Sequence, residues 1–160
     1  MQHFISHRGN INGSFESWEN EPTYIDLAIA KGYEVEIDVW FHNKILFLGH
    51  DKPDYGMNFK WFEDKINKLW IHCKNKEAVI FFNTLKEHKF NYFWHENDMI
   101  TLTSNNIIWA FPGNQPIKNS IAVMPENKDE NIEDLLQCLG VCSDYIETYK
   151  NKLLQLGSEI

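Results

Sequence analysis

The chain has 160 residues, 43% hydrophobic and 24% charged, a composition typical of a single globular domain spanning residues 1–160. Its formal net charge of −8 argues against a nucleic-acid partner, because nucleic acids are held mainly by basic side chains. There is no signal-peptide pattern, and no apolar run approaches the roughly 20 residues of a membrane span. The three cysteines lack metal-site spacing. We therefore expect a cytoplasmic protein whose thiols are reduced.

Short apolar segments alternate with segments of helical pattern along the chain. The apolar segments are rich in β-branched and aromatic residues, which is usual for strands covered on both faces. We predict strands at 3–7, 33–40, 45–50, 69–73, 91–95, 107–111, 120–124 and 140–146. Pro22 suits the start of a helix and Gly32 its end. The predicted helices are 21–32, 59–67, 76–88, 131–139 and 149–156.

Eight strands interleaved with helices favour an α/β fold of parallel strands, a (β/α)8 TIM barrel in compact or partly degenerate form. Such barrels usually take about 250 residues. The stretch 90–125 has strand and turn signals but lacks room for two full helices. The sequence therefore leaves two outcomes open, a barrel with loops and a hairpin in place of some helices, or an incomplete barrel.

Ionisable residues stand at the ends of several predicted strands, where a parallel barrel carries its chemistry. His7 and His50 each follow an apolar run, and a pair of histidines can serve as acid and base. Glu36 and Asp38 lie at i and i+2 on one strand, so their side chains point the same way. Buried carboxylates need a partner, and a divalent cation is one that fits, a salt bridge to Arg8 or Lys74 being the alternative. The pattern indicates a metal-assisted phosphodiesterase.

Five short motifs follow one another in the first half of the chain: His7-Arg8-Gly9, Glu19-Asn20, Glu36-Ile37-Asp38, His50-Asp51 and His72-Cys73-Lys74. The series resembles the glycerophosphodiester phosphodiesterase family, relatives of the phosphatidylinositol-specific phospholipases C. That family has His-Arg-Gly, Glu-Asn, Glu-x-Asp, His-Asp and Glu-x-Lys in the same order. The ending Gly140–Tyr145 also resembles the last strand of the family, which closes with Thr-Asp or Ser-Asp. The resemblance covers residues 3–75 and is weak from 90 to 138.

The resemblance implies a barrel of phospholipase C-like type and a phosphoric diester hydrolase of lipid metabolism, acting on a small glycerophosphodiester-like substrate. It also implies that a neighbouring hydroxyl of the substrate can be the nucleophile, with a cyclic phosphate as intermediate. His7 and His50 are then the catalytic pair. Arg8 and Lys74 are the expected phosphate contacts, since charge builds on the phosphate oxygens during displacement. Pairing of these two cations with nearby carboxylates can coexist with that role.

The chain departs from the family pattern in two places. His72 replaces the glutamate of strand four, and the segment between His50 and His72 is shorter than the family's substrate-holding segment. A site of Glu36, Asp38 and His72 favours Mn²⁺ or Zn²⁺ over Mg²⁺ or Ca²⁺, with ligand distances of about 2.0–2.3 Å. Two other outcomes stay open, in which Glu126 supplies a carboxylate or metal binding has been lost.

Two interpretations stay open for each of several other residues. Asn20, beside Glu19, either bonds a substrate or caps the following helix. His95 and Asp98, in a segment dense in ligand-type residues, either line the site or belong to a solvated turn. Three aromatic residues form a substrate wall or, as we prefer, pack a small barrel that is short of helices. They are Trp94, Trp109 and Phe111.

The leading prediction is a metal-dependent phosphoric diester hydrolase with a small phosphodiester as its partner. The first alternative is a binding or regulatory module that keeps the phosphate pocket without turnover. The second is a lyase that stops at a cyclic phosphate. The sequence predicts no particular oligomeric state.

Overall fold

The computed structural model describes residues 1–85 and 87–158, which form a mixed α/β fold. Ten strands lie in these residues: β1 His3–His7, β2 Glu34–His42, β3 Ile45–Leu48, β4 Tyr55–Met57, β5 Leu69–Cys73, β6 Asn91–Phe93, β7 Ile100–Leu102, β8 Ile108–Ala110, β9 Ile121–Val123 and β10 Gly140–Ser143. The α-helices are α1 Pro22–Ala30, α2 Phe59–Glu63, α3 Lys76–Thr84 and α4 Ile146–Ser158. None of the helices in these residues is both long and apolar enough to cross a bilayer.

All ten strands belong to one sheet, whose parallel part runs in the order β6-β5-β2-β1-β10-β9-β8. In the described residues no strand pairing joins β6 to β7 or β8, so the sheet is not closed into a barrel. A loop residue bridges this opening, because the Ser104 amide donates to the Tyr92 carbonyl at 2.8 Å. The assignment to a (β/α)8 barrel family stays a prediction.

The sheet separates two apolar layers, as expected when successive strand residues point to opposite faces. On its outer face, Val35, Ile37 and Val39 of β2 pack with buried residues of the helices, including Ile25 and Phe82. The inner face holds a second cluster: Ile5, Trp70, Phe93, Trp109, Ile121, Val123 and Cys142. This inner cluster forms an apolar floor beneath the polar residues at the carboxyl ends of the parallel strands.

The third predicted strand is not a parallel barrel strand. β3 pairs antiparallel with β2 through a two-residue turn in which Asn43 and Lys44 both have positive φ, of 50° and 65°. That geometry suits the twist of a tight hairpin. The returning chain reaches Gly49, whose amide donates to the Asp38 carbonyl at 3.2 Å. His50 therefore still arrives at the same end of the sheet as the other predicted site residues.

Several predicted boundaries also differ from the structure. The helix predicted over 59–67 ends at Glu63 and continues to residue 68 as tight turns. The one predicted over 131–139 is a single 3₁₀ turn, Asp134–Gln137. It stops there because Cys138 is extended and the Leu139 carbonyl accepts from the amides of Gln2 and His3. The last helix begins at 146 instead of 149, and β4 and β7 were not predicted. The helix predicted over 76–88 ends at Thr84, and Lys86 lies outside the described residues.

Candidate active site

Three adjacent parallel strands place the predicted ligands side by side. β1 pairs with β2 so that His7 lies opposite Glu36, and β2 pairs with β5 so that Asp38 lies opposite His72. A cavity of about 410 Å³ opens at this end of the sheet. Its lining includes both predicted catalytic histidines, both predicted phosphate contacts and two of the three predicted ligands: His7, His50, Arg8, Lys74, Glu36 and His72. Asp38 is fully buried just behind this surface.

The His72 ring faces both carboxylates. Its Nδ1 lies 3.0 Å from Asp38 Oδ1 and 3.8 Å from Glu36 Oε1. Its Nε2 lies 3.2 Å from the His95 carbonyl oxygen, which can only accept, so Nε2 carries a proton. In the neutral ring Nδ1 then points a lone pair at a carboxylate, which is unfavourable without a proton or a cation between them. A backbone carbonyl that fixes the ring from behind is also the usual arrangement of a metal-ligating histidine.

Glu36 is a buried carboxylate at the edge of the cavity. Its side chain is 4% exposed, and its Oε2 has no hydrogen-bond partner in the described part of the chain. Burial, followed by the charge of Asp38, raises the pKa of Glu36. One ligand atom from each of Glu36, Asp38 and His72 lies within 4.8 Å of the others. An orphaned carboxylate beside a second carboxylate and an imidazole lone pair fits a divalent cation.

Asp38 is surrounded by positive groups. Burial opposes its ionisation, but the adjacent His72 ring and the charge of Arg8 hold the pKa of Asp38 well below its usual range. Arg8 Nε lies 2.8 Å from Asp38 Oδ2, and Lys74 Nζ lies 3.5 Å from Oδ1. Arg8 and Lys74 therefore pair with Asp38 and also line the cavity, the coexistence of roles that the sequence allowed.

Glu19 and Asn20 support these groups from the first loop. Glu19 Oε2 accepts from Arg8 at 3.0 Å. Asn20 is buried, donates to Asp38 Oδ2 at 2.9 Å and accepts from the Asp38 amide at 2.9 Å. It is not the helix cap, since Glu21 accepts from the Tyr24 amide at the start of α1. The helix-cap alternative for Asn20 is therefore wrong, and its amide instead orients a buried carboxylate.

His7 is oriented by a residue that the predicted site did not include. Its Nδ1 donates to Asp144 Oδ1 at 2.8 Å, and Asn10 donates to the same oxygen at 2.8 Å. Burial opposes protonation of His7, but the hydrogen bond with Asp144 and the charge of Glu36 raise its pKa. Its Nε2 stays in the cavity, 3.8 Å from Glu36 Oε2. The available signal was the Ser143-Asp144 pair at the end of the last strand, which lies beside β1.

His50 enters the same cavity from the hairpin and is more open to solvent. Its side chain is 42% exposed, and its Nδ1 lies 2.7 Å from Asp51 Oδ1. Burial and the charge of Arg8 lower the pKa of His50. The two histidines therefore share one cavity but differ in how firmly they are held.

Of the remaining predicted site residues, some line the cavity and others do not. His95 lines the cavity, where burial and the charge of His72 lower its pKa to about 4. Asp98, with a side chain 61% exposed, is outside the described lining. Glu126 accepts from the Ser143 hydroxyl and the Asp144 amide, at 2.8 and 3.1 Å. The left-handed backbone at residue 124 turns it that way, so Glu126 does not join the carboxylate pair.

No protein-family model, curated protein or solved structure matches this chain. The functional argument therefore depends on the geometry of the site.

Proposed function

We propose that the protein is a metal-dependent phosphoric diester hydrolase that acts on a small glycerophosphodiester-like substrate. One observation carries the proposal. The buried carboxylate of Glu36, whose Oε2 lacks a hydrogen-bond partner among the described residues, shares one cavity with two histidines, an arginine and a lysine. Acid–base groups, phosphate-binding cations and a cation-binding cluster are the parts that phosphodiester cleavage requires.

In the proposed reaction, Arg8 and Lys74 bind the phosphate oxygens, which gain charge as the attacking oxygen approaches phosphorus. One histidine takes the proton of the attacking hydroxyl as the new P–O bond forms. The other donates a proton to the leaving oxygen as the old P–O bond breaks, which leaves a cyclic phosphate. In the second step the two histidines exchange roles: one takes a proton from water as its oxygen bonds to phosphorus, and the other protonates the ring oxygen as the cyclic P–O bond breaks. The pair is then back in its starting charge state. Asp144 keeps the proton of His7 on Nδ1, which leaves Nε2 to exchange protons in the cavity.

Glu36, Asp38 and His72 would hold the cation, with His72 Nδ1 as the nitrogen ligand. A bound divalent cation supplies positive charge for the phosphate oxygens and for the nucleophile. The ligand set of two carboxylates and one imidazole favours Mn²⁺ or Zn²⁺ over Mg²⁺ or Ca²⁺. The proposal also places the protein in the cytoplasm, in keeping with three cysteines that are free and buried, Cys73, Cys138 and Cys142.

The test is hydrolysis of bis(p-nitrophenyl) phosphate and of glycerophosphodiesters with each of the four cations. We expect chelator-sensitive turnover that His7→Ala abolishes and that His42→Ala, on the solvent-exposed end of β2, leaves unchanged. Phosphorus NMR of the products separates a hydrolase from a lyase that stops at a cyclic phosphate. Absence of turnover across diesters and metals would remove the proposal.

One observation favours a second candidate, a phosphate-ester-binding module without turnover. Asp38 already lies within 3.5 Å of three basic side chains, those of Arg8, His72 and Lys74, which together can neutralise it without a metal. Calorimetric binding of phosphate esters with no turnover, unchanged in His72→Glu, would support this candidate over the enzyme.

A further inference from the structure

A column of stacked rings leads from the proposed metal ligand to the cavity wall. The His72 ring lies parallel to Phe93, with centroids 5.2 Å apart and planes at 7°. The His72 and His95 ring centroids lie 5.5 Å apart. The His95 ring in turn stacks on Phe111, with centroids 3.7 Å apart and planes at 23°. The column thus begins in the buried core and ends at Phe111, which lines the cavity.

The aromatic residues that line the cavity differ in how far they are buried. Trp109 and Phe93 are 2% and 3% exposed and pack against each other at 4.8 Å, so packing explains them. Trp94 is 37% exposed, the His95 side chain is 20% exposed, and Phe111 is half-buried. We call Trp94, His95 and Phe111 the ring wall. The ring wall keeps part of its surface exposed and opens into the same cavity as Arg8 and Lys74.

The wall has the properties of a surface for a flat group. Aromatic rings stack favourably in offset or tilted geometries, and a ligand pocket combines such apolar walls with a few polar groups that orient the ligand. Two residues with hydrogen-bonding side chains, Glu96 and Asn127, line the cavity together with the ring wall. A planar ring with polar atoms on its edge can use both kinds of contact, whereas a glycerol group can use only the second.

We propose that the ring wall binds a planar aromatic or heteroaromatic group of the phosphodiester, so that the substrate class is aryl or nucleoside phosphodiesters. This inference rests on the proposed function, because the phosphate must first be held by Arg8 and Lys74. The net charge of −8 favours a small diester over a polynucleotide.

The test compares three phosphate monoesters as product-like probes, by calorimetry with Mn²⁺ present. The probes are glycerol 3-phosphate, phenyl phosphate and uridine 5′-monophosphate. We expect the two ring-bearing probes to bind about tenfold more tightly than glycerol 3-phosphate, which is the usual size of a stacking contribution. Phe111→Leu, which keeps an apolar side chain, and Trp94→Ala should each reduce that preference while leaving glycerol 3-phosphate affinity unchanged.

Trp18→Ala is the matched control, since Trp18 is 54% exposed and lies outside the described lining of the cavity. It should change none of the three affinities. Uridine monophosphate binding more tightly than phenyl phosphate would identify a heteroaromatic substrate, and equal binding an aryl one. Equal affinity for all three probes, or a ring preference that survives both substitutions, would overturn the inference and leave the proposed function standing. Failure of every probe to bind would overturn both.

Discussion

Replacing Glu36 by glutamine should make the metal-free protein more stable, although it removes a group at the centre of the proposed site. Glutamine has nearly the same shape, but it carries no charge to desolvate. Glu36 is 3% exposed and its Oε2 lacks a hydrogen-bond partner in the described residues. Burial of an uncompensated polar group costs about 1–3 kcal/mol in proteins. We expect Glu36→Gln to recover about 1–2 kcal/mol, or about 2–8 °C in Tm for a chain of this size.

The gain should depend on pH with a definite sign. Because the folded protein raises the pKa of Glu36, it binds more protons than the unfolded chain above the ordinary glutamate pKa. Wild-type stability therefore falls as pH rises from about 4.5 through the raised pKa, while the variant lacks this loss. The advantage of Glu36→Gln should be small at pH 4 and should grow towards neutral pH.

The same substitution should remove the response to metal. A cation at 100 times its Kd stabilises the folded wild type by about 2.7 kcal/mol, and the variant should gain much less. Thermal unfolding with chelator and with Mn²⁺, at pH 4 and pH 7, measures both effects.

Glu34→Gln is the control. Glu34 lies two residues earlier on the same face of β2, but its carboxylate has hydrogen-bond partners. Its carboxylate lies 3.0 Å from His3 Nδ1 and accepts from Trp70 Nε1 at 2.6 Å. That variant should lose about 1 kcal/mol and keep the metal response. A metal-free Glu36→Gln protein less stable than the wild type at pH 7, or one that Mn²⁺ still stabilises fully, would refute the reasoning.

Three further predictions concern other parts of the site. His72→Glu should shift metal-induced stabilisation from Mn²⁺ or Zn²⁺ towards Mg²⁺ or Ca²⁺ without unfolding the protein, because a carboxylate is the harder ligand; an unchanged preference in Tm shifts would exclude His72 as a ligand. Asp144→Asn should lower kcat by about 100-fold with little change in KM. The neutral amide removes the charge that favours protonated His7, and its NH2 can face Nδ1 and reverse the tautomer, so unaltered kinetics would contradict that role. Gly49→Ala should lower the free energy of unfolding, measured by chemical denaturation, by more than about 2 kcal/mol, because φ is 145° and the new Cβ would lie 2.1 Å from a backbone oxygen. Gly157→Ala is the control, since there is open space at its Cβ, and it should cause no loss of stability.

The predictable parts of the fold are those with local signals. β1, β2 and β5 are apolar runs that end in ionisable residues, so alternation of side chains was enough to bring Glu36, Asp38 and His72 together. The hairpin was missed because its turn, Asn43-Lys44, lacks the Asn-Gly pattern that usually marks one. The opening beside β6 depends on long-range pairing, for which no short stretch of sequence carries a signal.

The site shows the same division between local and distant information. Asn20 was singled out in the Glu19-Asn20 motif, but only the fold shows that it bonds to Asp38 and does not cap the helix that follows. Glu126 was a plausible ligand by residue type, and its direction is decided by a left-handed residue before it. Trp109 and Phe111 are two residues apart and both line the cavity, yet Trp109 is almost fully buried and Phe111 only half-buried.

The bond between His7 and Asp144 joins residues 137 positions apart, and this separation orders the assembly of the site in time. Glu36, Asp38 and His72 become neighbours once β5 has docked on β2, which needs only the first half of the chain. The His7 ring is fixed only after β10 has paired with β1, and contacts across so long a loop form late. Under the proposed function, a nascent or partly folded chain can therefore bind a cation before its acid–base group is aligned. The capacity to cleave esters is then the last property that a newly made molecule acquires.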